Sequence, residues 1–344
     1  MLRLLILLLI SASAYPQTLR MLGTPSKSSL RGITVVDAKT VWISGDGGTV
    51  MRSSDGGNTW TSINPLHATD LDFRDVEAFD ANTAYAMSSG ASTRSRIFKT
   101  IDGGRTWKQQ FITFDPKYFF DCFAFWNRDH GIAIGDPIGN HFSTLETHDG
   151  GAHWTVVTSL PQVMDTEAAF STGTCIVTSR DNDIWFGTGS KHGARVFHSA
   201  DHGRTWSAVA TPLMAEDEGE GIFSIAFANP QVGIIVGGDY QKPDKIKVNA
   251  AITTNGGRTW MATPQQPSGY RCGVAFRPGT DGNTIVTVGT TGIDITDDRG
   301  AHWRSLARER YHSVAFTPDG SAAYVLGQNG RVAKILFTSV PPRR

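Results

Sequence analysis

Short runs of alternating apolar and polar residues recur along the chain, and each run is bounded by glycine, proline, asparagine or aspartate. Residues 221–227, 270–276 and 311–316 are such runs, and the last is followed by the turn sequence Thr-Pro-Asp-Gly at 317–320. Other runs end in glycine, as at 233–237. A period of two bounded by turn formers predicts β-strands joined by hairpins, whereas no window has the period of an amphipathic helix. The pattern therefore predicts an all-β protein.

An octapeptide of the form Ser/Thr-x-Asp/Asn-x-Gly-x-Thr/His-Trp occurs six times. The side-chain oxygen at its third position can accept hydrogen bonds from the amides that follow, and the glycine allows a tight reversal between two strands. The tryptophan then begins an outer strand and brings apolar surface to the space between units. We therefore interpret the third residues as structural rather than catalytic. They are Asp55, Asp102, Asp149, Asp201, Asn255 and Asp298.

The spacing of the octapeptides predicts a β-propeller. Their tryptophans are 47, 47, 52, 54 and 43 residues apart, a period that fits one four-stranded blade. One more unit, residues 311–337, follows the last octapeptide with three strands, whereas residues 17–22 form a strand without a unit of its own. Placing that strand outermost in the last unit closes the ring and removes free sheet edges. The prediction is a seven-bladed β-propeller of four-stranded antiparallel blades, and six or eight blades are the alternatives.

The first residues have the features of a signal peptide. Arg3 supplies a positive charge, residues 4–10 are apolar, and residues 12–14 are the Ala-Ser-Ala that a signal peptidase prefers. The apolar run is shorter than the roughly 20 residues that span a bilayer. We expect cleavage after residue 14 or a few residues later, and the alternative is a membrane-anchoring helix. Residues 15–344 would then form one exported domain, in the periplasm or outside the cell.

Charge and composition exclude several classes of function. Lys and Arg together number 32, as do Asp and Glu, so the chain lacks the basic excess that nucleic acids or anionic membranes attract. No glycine-rich nucleotide loop follows a strand, and the ten histidines show no metal-ligand spacing, so we expect neither a cofactor nor a metal. We also expect no membrane span and a monomeric protein.

Three cysteines occur in a chain that we expect to be exported, so at least one is unpaired. Cys122, Cys175 and Cys272 all lie in apolar, strand-like stretches. We interpret them as small buried hydrophobic residues, and a disulfide is the alternative.

The octapeptide turns are expected on one face of the ring, so the loops between blades and between second and third strands lie on the opposite face. Loops on a rigid scaffold are where binding residues concentrate. Charged residues in these loops and at the starts of the innermost strands would line the mouth of the central channel and bind an anion or a partner. We expect Arg74 and Arg271 to point into solvent there. The candidate binding residues are Arg31, Arg74, Asp121, Glu167, Glu218, Glu220, Asp239, Arg271 and His312.

The octapeptide is identified as the Asp-box, or bacterial neuraminidase repeat, and its six copies cover nearly the whole chain. The chain resembles the photosystem II stability/assembly factor-like family, whose members are exported seven-bladed propellers with a signal peptide. The resemblance implies a non-enzymatic protein that acts in binding, scaffolding or assembly, with another protein or a glycan as its partner. Fold does not determine function, so this expectation is an analogy.

Sialidases share the repeat, and this more distant resemblance implies the alternative of a sialidase-type glycoside hydrolase. Sialidases bind a carboxylate with three arginines and use a Tyr/Glu pair and an aspartic acid. The sialidase arginine motif is Phe-Arg-Ile-Pro, from which the local sequence Leu-Arg-Gly-Ile at 30–33 departs. In this chain the three arginines would be Arg31, Arg74 and Arg271. The Tyr/Glu pair would be Tyr311 and Glu220, and the acid would be Asp72.

Overall fold

The computed structural model confirms the prediction of an all-β protein. Its regular structure is β-strand, apart from one short 3-10 helix at Ser92–Arg94. In the part of the chain that it describes, no helix is long and apolar enough to cross a membrane. The expected signal peptide lies outside the described residues, so export stays a prediction. The described ranges are 17–157, 162–170, 172–179 and 181–337.

The strands form seven four-stranded antiparallel sheets, each of which is one blade. The first strand of the chain is β1 (Thr18–Leu22). Blade one contains β2 (Leu30–Val35), β3 (Val41–Gly45), β4 (Thr49–Ser53) and β5 (Thr61–Ser62). Blade two contains β6 (Asp72–Ala78), β7 (Ala84–Ser89), β8 (Arg96–Thr100) and β9 (Lys108–Ile112). Blade three contains β10 (Phe120–Phe125), β11 (Gly131–Ile138), β12 (His141–Thr147) and β13 (Thr155–Val156).

The remaining blades repeat this order along the chain. Blade four contains β14 (Ile176–Thr178), β15 (Ile184–Gly187), β16 (Arg195–Ser199) and β17 (Ser207–Ala210). Blade five contains β18 (Glu220–Phe227), β19 (Gly233–Asp239), β20 (Ala250–Thr253) and β21 (Met261–Ala262). Blade six contains β22 (Gly273–Phe276), β23 (Ile285–Gly289), β24 (Gly292–Thr296) and β25 (Arg304–Ala307). Blade seven contains β26 (Ser313–Phe316), β27 (Ala322–Leu326) and β28 (Val332–Leu336), together with β1.

The first strand of each blade is innermost in the ring. These inner strands contact one another in succession from β2 to β26, and β26 contacts β2 again. They surround a central channel with a volume of about 390 Å³. The hydrophobic core lies between neighbouring blades, where Trp60, just before β5, packs against a cluster that includes Leu22 and Tyr324 of blade seven. Each blade therefore buries its apolar face only when the next blade is in place.

The ring is closed by the N-terminal strand. β1 pairs antiparallel with β28, in a register that runs from Thr18 opposite Leu336 to Leu22 opposite Val332. The strand order of this sheet is β1-β28-β27-β26, so both ends of the described chain meet in one blade. The predicted count of seven blades and the predicted closing strand are confirmed.

The octapeptide turns have the hydrogen bonds that the sequence predicts. In the first copy, Asp55 Oδ1 accepts from the Thr59 backbone N–H (2.9 Å) and from Ser53 Oγ (2.8 Å), and Oδ2 accepts from Thr59 Oγ1 (2.6 Å). Hydrogen bonds from Thr59 lower the pKa of Asp55 to about 2. In the third copy His153 replaces the threonine, and its Nδ1 lies 2.6 Å from Asp149 Oδ2. The carboxylates are thus engaged in holding the turns.

The expectation for two of the cysteines is wrong. Cys122 and Cys175 form a disulfide, with their Cα atoms 6.3 Å apart. Cys122 lies in β10 and Cys175 directly precedes β14, so the bond joins the inner strands of blades three and four. The two residues are 53 positions apart, close to one blade period, which places them at similar positions in adjacent blades. Cys272 is a buried free thiol, as expected.

Candidate functional site

The mouth of the channel on the face opposite the octapeptide turns contains a pocket of about 460 Å³. Five of the nine candidate binding residues line it, together with aromatic residues from blades three to six. One side of the pocket is formed by charged residues and the other by aromatic rings. The five candidates that line it are Arg31, Arg74, Asp121, Glu218 and His312.

Strand-ending glycines allow the loops of the mouth to approach the inner strands. A Cβ atom at Gly135, in β11, would collide with the carbonyl oxygen of Phe119, the residue just before β10. The backbone N–H of Asp136 donates to that same carbonyl (2.9 Å). The Gly-Asp pair thereby places the Asp136 carboxyl in the pocket, near Asp121 of β10.

Two arginines give the mouth its positive charge. Arg74 Nε donates to Asp72 Oδ2 at 2.7 Å. Arg31 Nε is buried and has no hydrogen-bond partner among the described residues. Burial, together with the charges of Arg31 and Arg74, lowers the pKa of His312 to about 3. His312 is therefore neutral at physiological pH, and Arg31 is a cation positioned to receive an anionic group.

Two carboxyl groups lie beside these arginines. Burial raises the pKa of Asp121 well above its usual range, the neighbouring Asp136 raises it further, and Arg74 opposes both effects. Burial also raises the pKa of Asp136 to about 6. Both groups bind a proton more readily than an exposed aspartic acid does, because neither is fully solvated. The negative charge of Asp136 therefore weakens at mildly acidic pH, whereas the positive charge of the two arginines persists.

The other side of the pocket is an aromatic wall formed by Phe170, Phe223, Tyr240 and Tyr270. The rings of Phe170 and Phe223 are stacked with centroids 3.9 Å apart, and Tyr270 meets Phe223 edge-on at 4.8 Å. Tyr240 is 51% exposed and gives the wall a solvent-accessible ring, whereas Phe223 and Tyr270 are buried behind it. Large, rigid and partly exposed rings are typical of surfaces that bind protein segments.

The predicted solvent-facing orientation of Arg271 is wrong. The side chain is fully buried and forms an ion pair with Asp294 of β24. Its Nε donates to Asp294 Oδ2 (3.2 Å), and its Nη2 donates to the Ser268 carbonyl (3.0 Å). A guanidinium has five donors in a fixed plane, which suits it to joining a strand and a loop inside a blade. Arg271 thus holds the loop before β22, and only Arg31 and Arg74 of the three candidate arginines line the pocket.

Three further candidate residues are buried and stand outside the pocket lining. Glu167 accepts hydrogen bonds from Thr188 Oγ1 (2.6 Å) and Arg195 Nε (2.9 Å). The carboxylate of Glu220 forms an ion pair with the ammonium group of Lys245. Asp239 Oδ1 accepts the backbone N–H groups of residues 241 (2.9 Å) and 242 (3.0 Å). These acids stabilise loops of the mouth from within.

The residues that the sialidase resemblance implies do not converge on one pocket. Tyr311 is fully buried, and burial raises the pKa of its hydroxyl, which lies 3.8 Å from the sulfur of Met21. Asp72 lines a neighbouring pocket with Arg74. With Glu220 and Arg271 also buried in other contacts, a carboxylate clamp of three arginines beside a Tyr/Glu pair is not formed.

Sequence reasoning did not select the three phenylalanines that line the pocket, Phe119, Phe170 and Phe223. Phe119 and Phe223 belong to apolar runs that are typical of core strands, and Phe170 lies before blade four in a stretch that has no recognisable strand pattern. An alternating strand places side chains on both of its faces, but the pattern does not show which face meets an adjacent loop. Only the arrangement of blades brings these rings to the channel mouth.

Comparisons with known proteins agree with this architecture. No protein-family model matches the chain. The chain is 26% identical over 283 residues to the photosystem II assembly lipoprotein Ycf48 of Synechococcus sp. (strain CC9902), which covers 78% of this chain and 75% of that protein. It is 27% identical over 216 residues to a xyloglucanase of Paenibacillus sp., which covers 56% of this chain but 20% of the enzyme.

Solved structures extend the likeness to the whole ring. A structure of Ycf48 bound to a D1 peptide matches with a TM-score of 0.66 at 18% identity, covering 94% of this chain and 97% of that chain. The expected resemblance to the photosystem II assembly factor-like propellers is confirmed. The chain is a seven-bladed β-propeller similar in sequence and in fold to the Ycf48 assembly factors.

Proposed function

We propose that this chain is an exported, non-enzymatic propeller that binds a segment of another protein at the channel mouth and acts as an assembly or scaffolding factor. The observation that carries the proposal is that Arg31, whose buried Nε has no partner among the described residues, lines a pocket together with Arg74 and several aromatic rings. The similar Ycf48 structure with a D1 peptide supports a protein segment as the ligand. A glycan is the less favoured partner.

The chemistry of the pocket defines the segment that would bind. Arg31 and Arg74 favour a carboxylate, from an acidic side chain or a free C-terminus, because a guanidinium donates two parallel hydrogen bonds to it. The wall of Phe223 and Tyr240 favours an apolar or aromatic side chain a few residues away. At about 460 Å³ the pocket is large enough for a few side chains of a peptide, not for a folded domain.

The disulfide supports export. Disulfides persist in oxidising compartments and are rare where thiols are kept reduced. The bond between Cys122 and Cys175 therefore fits the signal-peptide features of the first residues and a location in the periplasm or outside the cell. Fusion of residues 1–20 to a reporter enzyme that is active only after export would test this part of the proposal.

A peptide-binding experiment tests the site. Immobilised peptides that combine an acidic residue or a free C-terminus with an aromatic residue should bind the wild-type chain, and their amidated, acid-free analogues should not. Arg31→Ala with Arg74→Ala should weaken binding by at least about tenfold, since charge-assisted hydrogen bonds contribute roughly 1.5–3 kcal/mol each. Surface plasmon resonance measures the affinities.

The matched control removes two arginines from the octapeptide face. Arg105 and Arg258 are exposed and occupy the same position of two octapeptides, so Arg105→Ala with Arg258→Ala changes the net charge equally. This control should bind as the wild type does. Equal affinity of the wild type and the Arg31/Arg74 variant, or loss of binding in the control alone, would place the site elsewhere.

Glycoside hydrolysis is a second candidate because of Asp121 and Asp136. Their raised pKa values are the kind of perturbation that catalytic acids show, and the similarity to a xyloglucanase points to the same chemistry. We expect no turnover of xyloglucan or of aryl sialosides. Turnover that Asp136→Asn abolishes, while the melting temperature is unchanged, would favour the enzyme instead.

A further inference from the structure

Three potential metal ligands meet on the octapeptide face, opposite the channel mouth. His130 lies in the turn between β10 and β11, Glu146 lies near the end of β12, and His148 lies in the octapeptide of blade three. The Nε2 atoms of His130 and His148 lie 2.7 and 3.2 Å from one oxygen, Glu146 Oε1. The ligand atoms of the three residues all lie within 4.8 Å of one another. The spacing of the histidines along the sequence did not reveal this group, because its members meet only across the paired strands β11 and β12.

Blade four contains the corresponding cross-strand pair without the additional histidine. There Asp183 takes the turn position and His198 the strand position, and His198 Nε2 lies 2.6 Å from Asp183 Oδ1. The residue that follows in the octapeptide is Ala200, where blade three has His148. A pair of histidine and carboxylate is thus sufficient for the hairpin, and the second histidine of blade three has no structural counterpart.

His202 brings a third imidazole to the cluster from blade four. Its ring centroid lies 4.8 Å from that of His130, and its backbone φ is +60°. A left-handed backbone favours glycine, and glycine does occupy this octapeptide position at Gly56, Gly103, Gly150 and Gly256. Arg299 has the same backbone φ of +60° at this position of the sixth octapeptide, so the left-handed conformation belongs to the turn and does not depend on the histidine.

We propose that His130, Glu146 and His148 bind one divalent transition-metal ion of the zinc type. Zinc bonds imidazole nitrogen and carboxylate oxygen at about 2.0–2.2 Å, so neighbouring ligand atoms of a tetrahedral site are about 3.3 Å apart. The separations of 2.7 and 3.2 Å are near this value, so small side-chain rotations admit the ion. Three protein ligands leave a fourth position to water, and solvent reaches it because His148 is 65% exposed.

The donor set suits this class of metal, since a histidine nitrogen that carries no proton offers its lone pair to the ion. Two imidazoles with one carboxylate favour zinc, cobalt or nickel, whereas calcium and magnesium prefer oxygen ligands alone.

Titration of the full chain with zinc chloride tests the proposal. Calorimetry should show one bound ion per chain with micromolar or tighter affinity, and cobalt chloride should give the visible absorption of a tetrahedral site. His148→Ala removes the exposed ligand and introduces the residue that blade four has at this position, so folding should be unaffected. Its affinity for zinc should fall at least about tenfold.

His302→Thr is the matched control. His302 is an octapeptide histidine that is more exposed than His148 (84% against 65%) and lies beside Asp298, and threonine occupies the same position at Thr59, Thr106, Thr205 and Thr259. This variant should bind zinc with wild-type affinity. A wild-type chain that binds no zinc, or a His148→Ala chain that binds it as tightly as the wild type, would overturn the proposal.

Discussion

At the scale of single residues, Asp102 and Glu77 are both acids, but their surroundings act on them in opposite directions. Hydrogen bonds from the side chain and backbone of Thr106 lower the pKa of Asp102 to about 2, so the octapeptide turn is stabilised by the charged form. Glu77 lies in β6 and lines the central channel, where burial raises its pKa to about 7. Burial also raises the pKa of Asp75, two residues earlier, and the charge of Glu77 adds to that effect. Ionisation of Asp75 and Glu77 therefore destabilises the folded state, whereas ionisation of Asp102 in its turn stabilises it.

Replacement of Glu77 by glutamine should stabilise the protein at pH 8 but not at pH 4. The folded chain keeps the Glu77 proton up to about pH 7, whereas the unfolded chain releases it near pH 4.5, so stability falls as the pH rises through this window. A shift of this size corresponds to about 1–3 kcal/mol, which Glu77→Gln should recover above pH 7. Chemical denaturation at both pH values measures it.

Glu309→Gln is the control for this experiment, because Glu309 is exposed. It should leave the stability nearly unchanged at both pH values. If Glu77→Gln and the wild type are equally stable at pH 8, the carboxylate is solvated in the channel and the raised pKa of Glu77 is wrong.

At the scale of strands and turns, blades three and four are joined by more than the connecting chain. The disulfide links β10 to the residue before β14. Thr178 Oγ1 donates to the Phe125 carbonyl (2.9 Å), and Trp126 Nε1 donates to the Asp183 carbonyl (3.1 Å). These hydrogen bonds join the same two blades near the ends of their inner strands, so the junction is held both covalently and non-covalently.

Reduction of the disulfide should destabilise the chain by about 2–4 kcal/mol. The bond closes a loop of 53 residues, which restricts the unfolded ensemble, and the cost of its loss grows slowly with loop length. Thermal unfolding with and without reductant measures the effect.

The double variant Cys122→Ala with Cys175→Ala is the control, since reductant should then change nothing. A wild-type chain whose unfolding is unaffected by reductant, although mass spectrometry shows both thiols free, would contradict this prediction.

At the scale of the whole molecule, stability depends on closure of the ring. Each inter-blade core is completed by the next blade, and the last such core includes Leu22 from β1 together with Tyr324 and Leu326 from β27. Removal of β1 would expose the edge of β28 and one side of this core. An open propeller also has two unpaired blade faces, which favour aggregation.

Deletion of residues 18–22 should therefore destabilise the protein by about 3 kcal/mol or more. The five ladder positions of β1 lose their pairing, and each backbone hydrogen bond contributes roughly 0.5–1.5 kcal/mol. For a chain of this size, about 3 kcal/mol corresponds to a fall in Tm of about 4 °C. Differential scanning calorimetry measures it.

A chain that lacks residues 340–344 is the control, because this deletion leaves both β1 and β28 intact. It should melt close to the wild-type temperature. Unchanged melting after deletion of residues 18–22 would show that β1 does not hold the ring closed.

Much of the fold follows from local pattern. Alternation with a period of two defines the strands, the octapeptide defines six of the hairpin turns, and its spacing defines the blade. The closing role of β1 follows as well, since residues 17–22 have a strand pattern and the last unit lacks a strand. These features were predictable because they depend on residues a few positions apart, or on counting repeats.

The tertiary structure decided which residues from separate segments meet. Between blades it pairs Cys122 with Cys175, and within single blades it buries Arg271 against Asp294 and brings His148 to His130. The same holds for the pocket, whose charged and aromatic sides come from different blades. A repeat pattern specifies the position of a residue within its own blade. The direction of its side chain across the gap to the next blade depends on packing between segments roughly fifty residues apart, and no local period records that packing.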